Sequence, residues 1–252
     1  MAGAMLSRWL DTGTLAPGQV TVIDPALPLL PPGVHVRPDI PVTDGPPPAF
    51  LMLGVKPQLF DAIADNVSDE CGASTVLLSI LAGTPLETLR RRIPRAAAVV
   101  RVMPNLPVAI GQGAVALHAP DAPRTALDAL MAPLGLVEWI DEEALFDAVT
   151  ALSGSGPAFL YRFAEALAKG GAAMGLPPQQ ADRLARATVA GAAALAHAAP
   201  DPLGALADRV ASKGGSTREG LNVLDKDSAL NVLVEAALKA ALARNRELAR
   251  GA

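Results

Sequence analysis

Thr75-Val76-Leu77-Leu78-Ser79-Ile80, closed by Ala82-Gly83, is the segment that decides the fold class of this 252-residue chain. A continuous apolar run of this length is typical of a strand buried on both faces of a parallel sheet. Three further runs of this kind occur in the first half, with helical stretches between them: Val20–Ile23, Phe50–Val55 and Ala98–Val102. The alternation predicts a Rossmann-like α/β domain whose sheet is covered on both faces.

Polar or turn-forming residues end each of these strands. Asp24 follows the first, Lys56-Pro57 the second, Ala82-Gly83 the third and Pro104-Asn105 the fourth. In a parallel sheet such segments meet at the carboxyl edge, where ligands bind. Residues 25–48 are rich in proline, so we expect them to form an irregular surface segment.

The pattern changes from about residue 145, after which helical spacing dominates. Pro157 is expected to begin a helix that ends at Met174, and a second helix spans about 178–198. A further helix begins near Ser228. We therefore predict two domains, an α/β domain over residues 1–145 and an all-α domain over residues 146–252.

Two runs of small and hydroxylated residues in the second half lead directly into helices, Thr150–Pro157 and Ser212–Thr217. A turn of this kind leaves backbone N–H groups unpaired, and the following helix adds a partial positive charge, which suits a small anion. The alternative for each segment is a tight loop that only connects two helices. Because the two segments occur together, the sequence favours an anion site.

Composition excludes several classes of function. The net charge of −4 and the lack of a basic stripe argue against nucleic-acid binding. No apolar run reaches membrane-spanning length and Cys71 is the single cysteine, so we expect a soluble cytoplasmic protein without an internal disulfide. The histidines (His35, His118 and His197) lack metal-ligand spacing, so no metal site is expected and a cofactor or substrate must supply the reactive atom.

Five segments in order resemble one enzyme family: Val55–Gln58, Ala82-Gly83, Arg101–Asn105, Ala151–Ala158 and Gly214–Thr217. Over nearly its whole length the sequence resembles pyrroline-5-carboxylate reductase. The resemblance implies a dinucleotide-binding domain followed by a helical domain through which subunits form a homodimer or a larger ring. It also implies that 1-pyrroline-5-carboxylate, a cyclic imine, is reduced to L-proline by hydride transfer from NADPH or NADH.

The resemblance places the substrate at the second of the two small-residue runs. It implies that the hydroxyl of Thr217 is the catalytic group and lies near the imine nitrogen. The main-chain N–H groups of Gly215, Ser216 and Thr217 are expected to hold the carboxylate, with Ser212 also in the substrate site. The alternative for Ser216 is a helix cap, because Ser216 and Glu219 have the spacing of a capping box.

By the same resemblance, the residues expected to bind the cofactor follow strands or begin the first helix: Met1, Ala2, Asp24, Val55, Lys56, Pro57, Ala82 and Asn105. Asn105 is expected to brace either the nicotinamide ribose or its own loop. An acidic residue such as Asp24 accepts hydrogen bonds from an unmodified ribose and repels a 2′-phosphate, which slightly favours NADH over NADPH.

The start of the chain departs from the family pattern. The family opens with an apolar strand and a glycine-rich turn, whereas Met1–Leu6 resembles only the end of that turn. Either the protein begins upstream, which we favour, or the sheet is shortened and has a gap. The chain as written is expected to bind the cofactor weakly and to expose sheet edges. Lys213 is a second departure, since a proline usual in the family is replaced by a cation.

Two other functions stay open at this point. A reductase of a related cyclic imine or of a 3-hydroxy acid would share the two-domain plan, and Lys169 or Lys213 would be the nearest acid/base for a hydroxy acid. A catalytically impaired paralogue would keep the helical domain as an oligomerisation module. The missing glycine-rich turn favours the paralogue, whereas the intact Gly214–Thr217 segment opposes it.

Overall fold

A computed structural model describes residues 1–40 and 45–250 of the chain. The chain separates into two compact units, an α/β unit of residues 1–155 with 241–252 and a helical unit of residues 156–240. The domain boundary that the sequence places after residue 145 stays a prediction.

The α/β unit alternates strands with helices. Its strands are β1 (Thr21–Ile23), β2 (His35–Arg37), β3 (Phe50–Leu53), β4 (Val76–Ser79), β5 (Ala98–Pro104), β6 (Gly113–His118) and β7 (Gly135–Trp139). Its helices are α1 (Ala2–Asp11), α2 (Phe60–Glu70), α3 (Leu86–Arg92), α4 (Arg124–Met131) and α5 (Phe146–Val149). This order confirms the α/β class predicted for the first half.

One sheet has the strand order β3-β4-β5-β6-β7. Strands β3, β4 and β5 are parallel, as the apolar runs predict. Strand β6 is antiparallel to β5, because the short connection over residues 105–112 reverses the chain, and β7 runs parallel to β6. Strands β6 and β7 were not predicted from the sequence, and β2 lies in the segment 25–48 that was expected to be irregular.

Successive residues of the central strand enter separate cores on the two faces of this sheet. On one face Leu78 belongs to a buried cluster with Met5 and Trp9 of α1. On the other face Leu77 belongs to a buried cluster with Leu89 of α3. The sheet is therefore covered on both faces, as predicted.

Strands β1 and β2 form a separate two-stranded parallel sheet. Within the described residues β1 pairs with β2 alone, and the side chains of Thr21 and Ile23 are exposed. The prediction that Val20–Ile23 is a buried strand is therefore wrong, since burial needs a sheet that continues on both sides of the strand. The described strands thus divide into two sheets, and the favoured explanation, that the protein begins upstream, stays a prediction.

The helical unit contains α6 (Gly156–Ala173), α7 (Pro178–Ala198), α8 (Leu203–Val210), α9 (Ser216–Asp225) and the start of α10 (Ala229–Arg250). These bounds confirm the helices predicted near Pro157, 178–198 and Ser228. Throughout this unit the buried residues are small: Gly171, Ala181, Ala185 and Ala211. In the described residues no helix is long and apolar enough to cross a membrane.

Candidate cofactor edge and substrate turn

Three predicted cofactor segments meet at the carboxyl edge of the five-stranded sheet. Val55–Pro57 follows β3, Ala82 follows β4 and Asn105 follows β5, and these strands are parallel neighbours. The side chain of Lys56 is exposed there. The structure therefore brings these residues together as the parallel sheet predicts. We call this group the cofactor edge.

The first helix also begins at the cofactor edge. A Cβ atom at Gly54 would lie 2.8 Å from the Cβ of Ala2, so only glycine permits this close approach. Met1 and Ala2, which the resemblance assigns to the cofactor, therefore lie beside the segment that follows β3. Sequence reasoning gave Gly54 no role, although a glycine at the end of a strand is a signal of close approach.

Asp24 lies on the other sheet, at the end of β1. Its N–H donates to the carbonyl oxygen of Arg37 at 2.9 Å, and its Oδ1 accepts the N–H of Ala26 at 2.9 Å. The carboxylate thus stabilises its own turn. The role of Asp24 in ribose recognition stays a prediction.

The side-chain amide of Asn105 holds together three parts of the α/β unit. Its Nδ2 donates to the carbonyl oxygen of Ser153 at 3.1 Å, and its Oδ1 accepts the N–H of Ala114 at 2.9 Å. The side chain is buried. These bonds brace the loop after β5, which is one of the two roles expected for Asn105, while a contact with the ribose stays a prediction.

The first small-residue run is helical and contains no open turn. Residues Thr150–Gly154 form a π-helical turn between α5 and α6, in which the N–H of Ser155 donates to the carbonyl oxygen of Thr150 at 3.2 Å. The hydroxyls of Thr150 and Ser153 donate to the carbonyl oxygens of Phe146 and Val149. The anion turn predicted here is therefore wrong, and so is its alternative of a connecting loop.

The second small-residue run forms a true turn at the start of α9, which we call the substrate turn (Ser212–Thr217). The N–H of Gly215 donates to the carbonyl oxygen of Ser212 at 3.0 Å. Gly214 has φ of +72°, a left-handed conformation that favours glycine. Ser212 and Thr217 are exposed, so the structure leaves both predicted substrate residues open to a ligand.

The helix that follows the substrate turn has an open N-terminus. Gly215 is the N-cap residue, and among the described residues no side chain caps the helix. The capping box considered for Ser216 and Glu219 is therefore wrong, because Ser216 is already the first helical residue. Within the described part of the chain the N–H groups of Ser216 and Thr217 donate to no protein acceptor. Such amides attract a carboxylate.

Sequence reasoning missed a buried ion pair beside the cofactor edge. Arg101 on β5 is only 6% exposed, and its Nη1 lies 2.8 Å from Oε1 of Glu143. Its guanidinium carbon lies 4.5 Å from the centroid of the Phe146 ring. The available signal was a cation inside an otherwise apolar strand, because a charge is rarely buried without a partner.

The fold and the two groups of residues define a class, namely a Rossmann-like α/β unit with a strand-end edge, followed by a helical unit with an exposed turn. A family model described as pyrroline-5-carboxylate reductase dimerisation matches residues 143–248. Pyrroline-5-carboxylate reductase 3 of Danio rerio is 37% identical over 203 residues, which cover 79% of this chain and 70% of that protein. The Haemophilus influenzae reductase is 34% identical, with coverage of 79% and 74%. The chain belongs to the pyrroline-5-carboxylate reductase family.

Solved structures agree with this assignment. A pyrroline-5-carboxylate reductase from Coxiella burnetii superposes with a TM-score of 0.87 at 28% identity, covering 98% of this chain and 94% of that one. A Plasmodium falciparum pyrroline carboxylate reductase, solved with NADP bound, superposes with a TM-score of 0.82 at 23% identity over the same shares. The second likeness shows the fold alone. The predicted family and fold class are confirmed.

Proposed function

We propose that this chain reduces 1-pyrroline-5-carboxylate to L-proline with NADPH or NADH as the reductant. The observation that carries the proposal is the substrate turn, an exposed turn followed by free amides, in a chain that belongs to this family. A related cyclic imine would fit the same turn, and the assay below separates the two substrates. No specific observation favours a 3-hydroxy acid.

The reaction makes few demands on protein acids or bases. The protonated C=N bond of the substrate is already electrophilic, and NAD(P)H, when bound, supplies the hydride that adds to the carbon while the nitrogen keeps its proton. The protein has to hold the substrate carboxylate and orient the imine so that its carbon faces the hydride donor. Burial raises the pKa of the Cys71 thiol, so this cysteine is a poor nucleophile at neutral pH.

We assign the substrate to the substrate turn. The carboxylate accepts hydrogen bonds from the free N–H groups of Ser216 and Thr217, with Gly215 and Ser212 shaping the turn around it. The hydroxyl of Thr217 then lies within reach of the ring nitrogen. Lys213 is exposed on the same turn, and its charge adds to the attraction for an anionic substrate.

We assign the cofactor to the cofactor edge, whose residues fit a dinucleotide. The segments after three parallel strands converge there, the exposed Lys56 offers a cation for the phosphates, and Gly54 keeps the backbone accessible. Pro57 and Ala82 line the same edge, and Asp24 is assigned to the adenosine ribose, which favours NADH. Met1 and Ala2 complete the edge at the start of α1.

We further propose that the chain works as a homodimer through its helical unit, which permits a larger ring, and that it resides in the cytoplasm. The helical unit lacks a core of large side chains, and many of its large apolar residues are exposed, including Leu160, Tyr161, Met174, Leu203, Val223 and Leu233. Exposed apolar surface of this extent is typical of a subunit interface. The matching of a dimerisation domain to this region supports the same conclusion.

The test is the oxidation of NADH and NADPH with 1-pyrroline-5-carboxylate. The chain is assayed beside a version extended ahead of Met1 by an apolar strand and a glycine-rich turn. We expect activity in the extended version and weaker cofactor binding without the extension, because β1 and β3 lie in separate sheets within residues 1–40 and 45–250. Higher kcat/KM with NADH than with NADPH is the expected preference.

A panel of cyclic imines lacking the carboxylate is the control for substrate assignment. These imines are expected to react poorly, because the free amides of the substrate turn have no anion to bind. If both versions fold, form dimers and oxidise neither cofactor, the reductase proposal fails and the oligomerisation module becomes the better function. If an imine without a carboxylate is the best substrate, the role of the turn is wrong.

A further inference from the structure

The buried Arg101 stands next to the loop that connects β4 with α3. Arg101 pairs in register with Ser79, the last residue of β4. The following segment, residues 80–85, contains Ala82 of the cofactor edge, and we call it the β4–α3 loop. A charged side chain that is 94% withdrawn from solvent is costly unless its partners are arranged to compensate it, so the identity of those partners is informative.

The first partner of Arg101 reaches the far end of this loop. The carboxylate oxygen Oε1 of Glu143 accepts the Nη1–H of Arg101 at 2.8 Å and also accepts the backbone N–H of Leu86 at 2.8 Å. Leu86 is the first residue of α3. Oε1 of Glu143 thus holds the start of α3, where the loop ends, and the ion pair with Arg101 holds Oε1 in place.

The second partner belongs to a cluster that lies beside the middle of the loop. The guanidinium of Arg101 lies over the ring of Phe146, which is buried with Met103 and Ala116. Ala82 packs against this cluster. The cluster that packs against Ala82 and the carboxylate that holds Leu86 therefore each include a group in contact with Arg101. In the described residues Nε of Arg101 has no hydrogen-bond partner, so its polar interactions are directed to Glu143.

We propose that Arg101 is a positioning residue that holds the β4–α3 loop in the conformation that receives the cofactor, acting through Glu143 and Phe146. The proposal rests on the proposed function, because that function makes Ala82 a cofactor residue. Arg101 does not touch the reacting atoms. Its loss shifts the loop, and displacement of a binding loop weakens binding and misaligns the reactants.

The chain offers a matched control for this test. The guanidinium carbon of Arg124 lies 4.5 Å from the centroid of the Trp139 ring, and its Nη2 lies 3.6 Å from Oδ1 of Asp141. Arg124 therefore makes the same two kinds of contact as Arg101. Its side chain is 54% exposed, and neither partner belongs to the β4–α3 loop. Arg124→Met therefore shows the effect of losing such contacts without a displacement of the β4–α3 loop.

The experiment measures three quantities in Arg101→Met, Arg101→Lys, Glu143→Gln and Arg124→Met. These are the Kd for NAD(P)H, the steady-state constants for both substrates, and hydrogen exchange of the segment 80–86. In Arg101→Met we expect the cofactor Kd to rise about tenfold or more and kcat to fall, while the KM for the imine changes less than about threefold. Exchange of the segment is expected to accelerate selectively.

Arg101→Lys is expected to recover part of the cofactor affinity, because it keeps the charge but loses the planar fork and the ring contact. In Arg124→Met we expect the cofactor Kd and kcat to stay within about twofold of the values for the unchanged protein. If Arg101→Met does not fold, Glu143→Gln decides, since it keeps an oxygen acceptor for Leu86 and removes only the charge. A folded variant with unchanged exchange and unchanged cofactor Kd overturns the proposal.

Hydrogen exchange needs no cofactor, so it distinguishes failure of positioning from failure of the proposed function. Selective acceleration of residues 80–86 in a protein that binds no NAD(P)H supports the loop-holding role and overturns the reductase. Normal reduction of the imine, with unchanged exchange of residues 80–86 in the Arg101 variants, supports the reductase and overturns the loop-holding role of Arg101. A uniform rise in exchange over the whole α/β unit assigns Arg101 to stability alone and overturns the positioning role.

Discussion

The two small-residue runs have similar composition and opposite structures. Thr150–Pro157 passes from a π-helical turn into α6, and its hydroxyls donate back to carbonyl oxygens of the preceding turn. Ser212–Thr217 turns sharply at Gly214 and leaves amides free at the start of α9. The first run therefore finds its hydrogen-bond partners within the protein, including Asn105 at the carbonyl oxygen of Ser153, whereas the second has N–H groups left for a ligand.

The difference arises from what precedes each run. The residues of α5 present carbonyl oxygens one turn before Thr150 and Ser153, so those hydroxyls find acceptors within the helix. Ser212 follows a non-helical residue, Ala211, and two glycines come after Lys213, so the chain reverses before a helix begins. Small residues permit both outcomes, and the neighbouring backbone decides between them.

The largest effect on activity is expected from a substitution at a glycine of the substrate turn. A Cβ atom at Gly215 would lie 2.6 Å from Oγ and 3.2 Å from the carbonyl oxygen of Ser212, so Gly215→Val distorts the substrate turn. We expect kcat/KM for 1-pyrroline-5-carboxylate to fall about 1,000-fold, because the oriented amides are lost together. Steady-state kinetics with the dimer confirmed by sedimentation measure this loss.

Gly154→Ala is the matched substitution in the helical run. The nearest atom to an added Cβ is Cγ2 of Thr150 at 3.6 Å, an ordinary contact. We expect kcat/KM within about threefold and a gain in unfolding free energy of up to about 1 kcal/mol, since alanine favours a helix over glycine. Equal loss of activity in Gly154→Ala and Gly215→Val would show that the two runs do not differ in function.

A smaller effect is expected at the threonines. Thr217→Val removes the hydroxyl assigned to the imine nitrogen, and we expect kcat to fall about 10–100-fold with a smaller change in the KM for the imine. Thr150→Val removes a bond of 2.8 Å to a helix carbonyl, and its kcat is expected to stay within about twofold. The pH dependence of kcat is measured for both variants. We expect only Thr217→Val to change it, because only that variant loses a hydroxyl assigned to the imine nitrogen.

The sequence predicted the α/β class because long apolar runs such as Thr75–Ile80 are buried on both faces wherever the sheet is continuous. It placed the helices of the second half closely, since Pro157 and Pro177 mark the bounds of helices clearly. It failed for Val20–Ile23, whose burial depends on a neighbouring strand and cannot be derived from its own residues. It also failed for β2, where prolines on both sides concealed a short strand.

The candidate site was predictable only where local chemistry determines it. The glycines of the substrate turn signal their own conformation, and the segments after β3, β4 and β5 follow from the parallel sheet. The roles of Asn105 and Arg101 depend on partners far along the chain, at Ser153 and Glu143. A single sequence does not reveal such pairs, although a buried arginine in an apolar strand indicates that a partner exists.

The smallest expected effect separates main chain from side chain in the substrate turn. Ser216 offers its N–H to the substrate carboxylate whatever its side chain, so Ser216→Ala is expected to keep kcat/KM within about threefold. Ser153→Ala loses a hydroxyl bond of 2.9 Å to the carbonyl oxygen of Val149, and its unfolding free energy is expected to change by less than about 0.5 kcal/mol. Kinetics and thermal unfolding of the pair provide the measurement. A loss of kcat/KM above tenfold in Ser216→Ala would place the Ser216 hydroxyl on the substrate. The carboxylate would then be held by that side chain, and the free N–H groups at the helix N-terminus would not be sufficient to bind it.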